Sequence, residues 1–349
     1  MSTNLMYIHA IVEPDFVTSG GAAATAEQVG FDGVWTTETA HDPFLPLVSA
    51  ATATSKILLG TAIAVAFPRS PTHLAMTAND LHAGSGGRFI LGLGSQVRAH
   101  VERRFSSDFD HPIARMREQV AAVRAVWSAW DSGEQPTVDG RFYRIDLMPP
   151  TFSPARHEHG HPPIFLSAVG SQMASLAGEV ADGVLVHGFS TVGYLRDITR
   201  PAVMAGAERA GRNPDDIAIA RPVFVATGRD EAEINVNAQP IRNRLGFYGS
   251  TPAYRAVLEH EGWDELGAEL RQLVRAGRWA ELGAPITDDV LAELAIVEPI
   301  DRVAEAIVTR FSGVVDRLSF NVPFQSEPEE WSDILNHIRE ATQQQGNHL

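Results

Sequence analysis

The sequence predicts a (β/α)8 TIM barrel with insertions. Three observations carry that prediction. The stretch 57–94 reads as one complete strand–helix–strand unit of roughly 35 residues, the repeating part of a parallel α/β fold. Eight such units can be counted along the 349 residues. The opening run of that stretch, 57–66, is apolar and rich in β-branched residues, as a parallel strand buried on both faces requires. An open doubly wound sheet is the alternative, and it would lack the eight regular repeats.

Taken in order, residues 6–12 (MYIHAIV) form strand one, ending at Glu13-Pro14, and 15–29 hold an alanine-rich helix. Gly30-Phe31-Asp32-Gly33 turns into strand two at 34–37. A polar loop with Glu38, His41 and Asp42-Pro43 leads to a helix over 44–54. Strand three is 57–66. Pro68 and Pro71 stop it, and a helix over 72–83 follows. The cluster Gly84, Gly86, Gly87 turns the chain into strand four, 89–94 (FILGLG). Residues 95–111, rich in Arg and His, read as an irregular polar segment. The amphipathic pattern of Val120, Val123, Val126 and Trp127 marks a helix over 114–131. Residues 136–147 alternate around Asp139-Gly140, a hairpin signal, and 149–163 form a proline-rich connector, so an insertion spans about 135–163. Strand five is 164–169, its helix 171–181, strand six 183–187, and a helix runs 192–210 to Gly211. Strand seven is 217–227, strand eight 316–322, and a helix over 329–343 closes the chain. About ninety residues separate strands seven and eight, where a plain crossover needs about a dozen. That excess predicts a helical insertion at about 234–297, acting as a lid or interface, with Trp263 and Trp279 as candidates for burial either against the barrel or in a core of the insertion itself. The whole of 1–349 is expected to be one domain.

Composition bounds the function. An apolar fraction of 44% and a charged fraction of 20% belong to a globular protein with ample core. The net charge of −15 argues against nucleic acid or an anionic membrane as a standing partner. Residues 1–7 carry no basic region followed by an apolar one and no run approaches a membrane span, so a cytoplasmic protein is expected. The absence of cysteine excludes disulfides, thiolate metal sites and cysteine nucleophiles. Lys56 is the only lysine, with arginine everywhere else.

In a barrel the chemistry sits at the carboxyl ends of the strands. The residues standing there are Glu13 after strand one, Glu38 and His41 after strand two, and 67–69 after strand three. Ser95, Gln96, Arg98 and His100 follow strand four, Gly170-Ser171 strand five, and His187-Gly188 strand six. Gly170-Ser171 opens a helix whose free N–H groups can hold an anion, although Gly-Ser is also an ordinary cap. His157, His159 and His161 alternate, but the surrounding prolines and the lack of a carboxylate partner read as a solvated connector rather than a metal site.

The run Ala26-Glu27-Gln28-Val29-Gly30-Phe31-Asp32-Gly33-Val34-Trp35, then Leu59-Gly60-Thr61-Ala62-Ile63, then Gly87-Arg88-Phe89 with Leu91-Gly92-Leu93-Gly94, resembles the bacterial-luciferase-like superfamily. Within it the chain is more similar to the branch of deazaflavin (coenzyme F420)-dependent oxidoreductases than to the flavin monooxygenases, and its Lys-poor, Arg-rich composition fits actinobacterial members. The resemblance implies a (β/α)8 barrel with insertions, often a homodimer, with the cofactor in the barrel mouth. It implies a non-prolyl cis peptide at Ala62–Ile63, behind the cofactor ring, with Gly94 and Ser95 in the same mouth. It matches His41 to a histidine that faces the cofactor in sugar-phosphate dehydrogenases, where an Asp stands in place of Ala40, and Glu13 to an active-site carboxylate of those enzymes. His100 matches a cofactor-contacting Asn. The cofactor phosphate is implied near Gly170-Ser171 and His187-Gly188. The acidic residue those dehydrogenases use after strand four falls on Val97, and their phosphate-binding lysines have no counterpart, so the resemblance does not extend to a sugar-phosphate substrate.

Three functions follow as expectations. The first is hydride transfer between F420 and a small alcohol, lactol or unsaturated carbonyl compound, with His41 moving the proton and Glu13 or Glu38 supporting it. The second is an FMN-dependent monooxygenase that uses reduced flavin and oxygen. The third is a barrel that only binds a ligand.

Overall fold

The structure is a computed structural model that describes residues 6–13, 15–321 and 328–346. Pro14 and Val322, at the expected ends of strands one and eight, lie outside the described residues. Eight parallel strands close on themselves: β1 (Tyr7–Ile11), β2 (Gly33–Thr36), β3 (Leu58–Thr61), β4 (Phe89–Gly94), β5 (Ile164–Ala168), β6 (Gly183–Val186), β7 (Ala218–Gly228) and β8 (Arg317–Asn321). Each strand pairs with the next in the chain, and β8 returns to β1 with Leu318 opposite Ile8. This is the (β/α)8 barrel the repeats predict.

Two apolar layers hold it. Inside the barrel, Trp35, Ile90, Phe165, Leu185 and Ala220 pack together, and His9 stacks on Trp35 with ring centroids 5.0 Å apart. Outside, Val34, Leu59, Leu91, Leu166 and Leu318 face the helices, including Ser19–Val29, Pro71–Gly84, Pro112–Ser132 and Val303–Phe311. Fully burying one such Leu or Phe contributes about 1.5–3 kcal/mol. The start of Pro71–Gly84 is written locally. Ser70 accepts the His73 N–H at 3.2 Å and Pro71 takes the first turn, where its missing N–H costs nothing.

Four features differ from the sequence reading. Strand three is not continuous over 57–66: it breaks after Thr61, passes through a cis peptide at Ala62–Ile63 and resumes as Ala64–Val65 against Leu93 and Gly94 of β4. Residues 95–111 are not wholly irregular, since Arg98–Arg103 is a helix with Arg98 and Glu102 paired one turn apart. The helix expected over 192–210 widens to a π-helical turn at Leu195–Thr199, just ahead of Pro201, which has no N–H to continue the regular ladder. β7 is eleven residues long and outreaches its neighbours. Phe224 pairs with Asn321 on one edge and Ala295 on the other, so the overhang takes an additional parallel strand, Ala295–Pro299, which the sequence reading missed.

Between β7 and that strand lie the helices Glu231–Ser250, Arg255–His260, Asp264–Arg275 and Asp288–Leu294. They enclose a second core in which Leu245, Leu258, Leu270 and Leu291 meet Phe189 and Phe224 from the rim of the barrel. Trp263 is half-buried in this core, whereas Trp279 is 53% exposed and lies near the Phe247 ring. Trp279 is therefore not packed on the barrel. The hairpin forms as Val138–Asp139 against Arg144–Ile145, its turn held by Glu118, which accepts the N–H groups of Arg141, Phe142 and Tyr143. Among the described residues no helix is long and apolar enough to cross a membrane.

Candidate active site

The mouth is built from the carboxyl ends of the strands. Glu13 stands exposed after β1, two residues before Asp15, whose side chain accepts the Val17 N–H at 2.7 Å. His41 is exposed in the loop after β2. No hydrogen bond joins His41 to Glu13 or Glu38 among the described residues. Glu38 turns toward β3 instead, accepting the Val65 N–H at 2.7 Å and the Arg69 guanidinium at 2.7 Å. Arg69 reaches on to Asp42 at 2.9 Å, and Asp42 accepts the N–H of Phe44. Arg104 donates to the Thr39 carbonyl, and Thr36 donates to that of Pro43 at 2.7 Å. The His41 loop is thus clamped from three sides while its imidazole stays open to solvent.

Ala62, Ile63 and Gly94 do come together. A Cβ on Gly94 would sit 2.8 Å from Ile63 Cδ1, so only glycine there leaves room for the half-buried Ile63 beside Ser167. Ser95 Oγ donates to the Gln96 carbonyl, and Gln96 takes a left-handed φ of 58° as the chain leaves the strand. His100 is further out, exposed on the helix Arg98–Arg103.

At β5 and β6, Ala168 pairs with Val186, so Gly170-Ser171 and His187-Gly188 emerge side by side. Gly170 leads into the helix Ser171–Val180 with no side-chain cap, and a Cβ placed on it would meet nothing within 4 Å. The first amides of that helix are free to meet an anion. His187 accepts the Phe189 N–H at Nδ1, 3.0 Å away, which puts its own proton on Nε2. Burial, and then the Arg221 cation, lower its pKa to about 4, so the ring is neutral at pH 7.

Sequence reasoning missed the groups around His187. Tyr248 and Tyr254 of the insertion lie against its ring, with centroids at 4.6 and 4.5 Å. Burial raises both phenol pKa values, keeping them protonated. Nothing in the pattern of 234–297 singles these tyrosines out. Arg221 was legible in principle, as a lone charge inside the apolar run of strand seven. The alternating histidines lie outside this mouth: His157 contacts Asn79 at 3.2 Å, and His161 meets Asp131 at 2.7 Å while stacking on Trp127. Among the described residues no group of three His, Asp or Glu is placed to hold a metal ion.

A closed parallel barrel with a broken third strand, a polar rim and a helical insertion over one side is the architecture of an enzyme that holds its ligand at the strand ends. The sequence matches the luciferase-like monooxygenase family over residues 13–317. It is 46% identical over 297 residues to a Mycobacterium tuberculosis protein of unassigned function, covering 85% of this chain and 87% of that one. It is 30% identical over 279 residues to the 5,10-methylenetetrahydromethanopterin reductase of Methanolobus tindarius, covering 78% and 80%. The fold superposes on the coenzyme F420-dependent tetrahydromethanopterin reductase of Methanopyrus kandleri with a TM-score of 0.77, at 22% identity, over 95% of this chain and 97% of that one. The chain belongs to the luciferase-like family and is an oxidoreductase.

Proposed function

We propose that this chain transfers a hydride between coenzyme F420 and a small organic substrate, an alcohol, lactol or unsaturated carbonyl compound. The observation that carries the reading is the match to a methylenetetrahydromethanopterin reductase over most of both chains, together with a superposition that spans the F420-dependent reductase almost end to end.

The residues at the mouth fit a group with an apolar ring and an anionic tail. Ala62, Ile63 and Gly94 offer a flat apolar wall, with Ser95 and His100 further out. Gly170, Ser171, His187 and Gly188 offer backbone amides and a neutral imidazole beside open space. Bound F420 supplies the carbon centre that takes or gives the hydride. The rest falls to the protein. An alcohol that loses a hydride must also lose its hydroxyl proton, and His41, on the rim, takes that proton or returns it. Glu13 is the second group able to accept it. The Glu38–Arg69–Asp42 clamp fixes the His41 loop, and the insertion shields the side of the mouth near His187. The chain is proposed to work as a homodimer whose contact leaves this mouth open to substrate.

The test is a screen of alcohols, lactols and enones in which the deazaflavin absorbance is followed in both directions. Turnover with F420 that does not consume oxygen supports the reading. Oxygen-dependent turnover with reduced FMN in its place rejects it.

A further inference from the structure

Among the described residues, Arg221 is a buried cation without a counter-charge. It lies on β7 at 2% exposure, on the face opposite to the interior residue Ala220. Its guanidinium rests over the Phe311 ring at 4.8 Å, and Nη2 donates to the Ser190 carbonyl at 2.5 Å. Nε and Nη1 have no partner, and neither does the buried Ser190 hydroxyl. Burial, followed by repulsion from a second cation, Arg310, pulls its pKa down to about 9. The carboxylate of Glu261 is taken by Thr191, which follows Ser190 in the chain, and by His260. A buried charge left uncompensated is costly, and an apolar side chain of the same volume would stabilise the fold better. No described residue supplies the counter-charge that such a cation calls for.

What it faces is the loop after β6. Ser190, which it bonds, is three residues from His187, and the β5–β6 register sets the open helix start at Gly170-Ser171 beside that loop. One end of the barrel thus gathers the Nε2–H of a neutral imidazole, free helix amides, an unpartnered hydroxyl and a cation behind them. Every one of these groups favours an anionic oxygen.

We propose that Arg221 is the fixed charge of a phosphate site at the β5–β6 end, acting from behind the loop as a positioning residue while His187 and the helix amides meet the phosphate oxygens. The inference rests on the reading that a cofactor phosphate lies at this end, and it adds the charge that draws the phosphate there. A phosphate is common to F420 and FMN, so it holds for either.

Inorganic phosphate is the probe, titrated into the full-length chain by calorimetry and followed by thermal unfolding. The native chain binds phosphate and gains melting temperature with it. Arg221→Met weakens that binding by about tenfold or more, the loss of a buried charge's attraction for the anion, yet melts no lower than the native chain in anion-free buffer. Arg221→Lys, which keeps the charge, binds more tightly than Arg221→Met. In Arg221→Met the His187 ring, followed by NMR, titrates nearer to its ordinary range. A purely structural arginine gives the opposite: a lower melting temperature with unchanged phosphate binding, which would overturn the proposal. A native chain that ignores phosphate also overturns it. Phosphate binding that depends on Arg221 in a chain inert toward F420 would reject the proposed function and leave this inference standing.

Discussion

Glu38 and Arg69 form an ion pair at 2.7 Å, with the carboxylate only 5% exposed, and it joins the loop that carries His41 to the end of β3. Asp42, on the far side of His41, meets the same guanidinium at 2.9 Å. One arginine therefore holds both flanks of the His41 loop. Among the described residues, Arg69→Met leaves Glu38 with the Val65 N–H as its one remaining partner. Breaking a buried pair of this kind costs about 3 kcal/mol. Denaturant unfolding should show that loss, with a fall in kcat in the surviving folded enzyme. Native stability in Arg69→Met would mean that the clamp does not fix the loop.

His41 is the group assigned to the proton. General acid–base catalysis contributes about 10²–10⁴-fold, so His41→Ala should lose kcat on that scale while the affinity for cofactor, measured by fluorescence titration, stays native. Glu13→Gln should lose less. Near-native turnover in His41→Ala would move the proton to Glu13 or water.

Acid should weaken the fold through His187 and His9. His187 titrates near 4 in the folded chain, lowered by burial and then Arg221, against 6.5 for the free side chain. Burial, and then Arg317, lower His9 in the same sense. The unfolded chain thus takes up protons between about 6.5 and 4 that the native one refuses. The stability contributed by His187 is fully present above pH 6.5 and is lost as pH falls toward 4, on the order of 3 kcal/mol. Denaturant midpoints from pH 7.5 to 4.5 should decline, and less steeply in His187→Gln. Parallel slopes in the two proteins would show that His187 does not titrate as described.

The insertion is latched to the barrel by polar contacts as well as by its core. Thr191, after β6, donates to Glu261 at 2.5 Å, and His260 bridges Glu261 at 2.7 Å to Asp197 at 3.1 Å. Glu261→Ala removes the central acceptor. KM should rise several-fold with a smaller change in kcat, and limited proteolysis should cut sooner near 251–262. Unchanged cleavage would leave the hydrophobic core as the whole attachment.

The barrel was legible because its code is local and repeated. Short apolar runs such as Leu58–Thr61 and Ile164–Ala168 write buried parallel strands, and turns marked by proline or glycine, Pro68-Arg69-Ser70-Pro71 and Val169-Gly170, lead each into its helix. Less of the mouth could be read. That His41, Gly170 and His187 stand on the rim follows from strand ends alone. That Glu38 faces Arg69 and not His41 depends on where β3 breaks after Thr61, which no periodicity encodes. Tyr248, on the helix Glu231–Ser250, and Tyr254, in the turn after it, reach His187 through packing that also serves the core of the insertion. The strand Ala295–Pro299 exists only because β7 overhangs the barrel, a fact of strand length relative to its neighbours.

The most direct test of the account is a binding titration of the purified chain with F420 and with FMN, side by side and without substrate. The account predicts tighter binding of F420, weakened by Arg221→Met and retained in His41→Ala. Equal or tighter binding of FMN, followed by oxygen-dependent turnover of the reduced flavin, would contradict it.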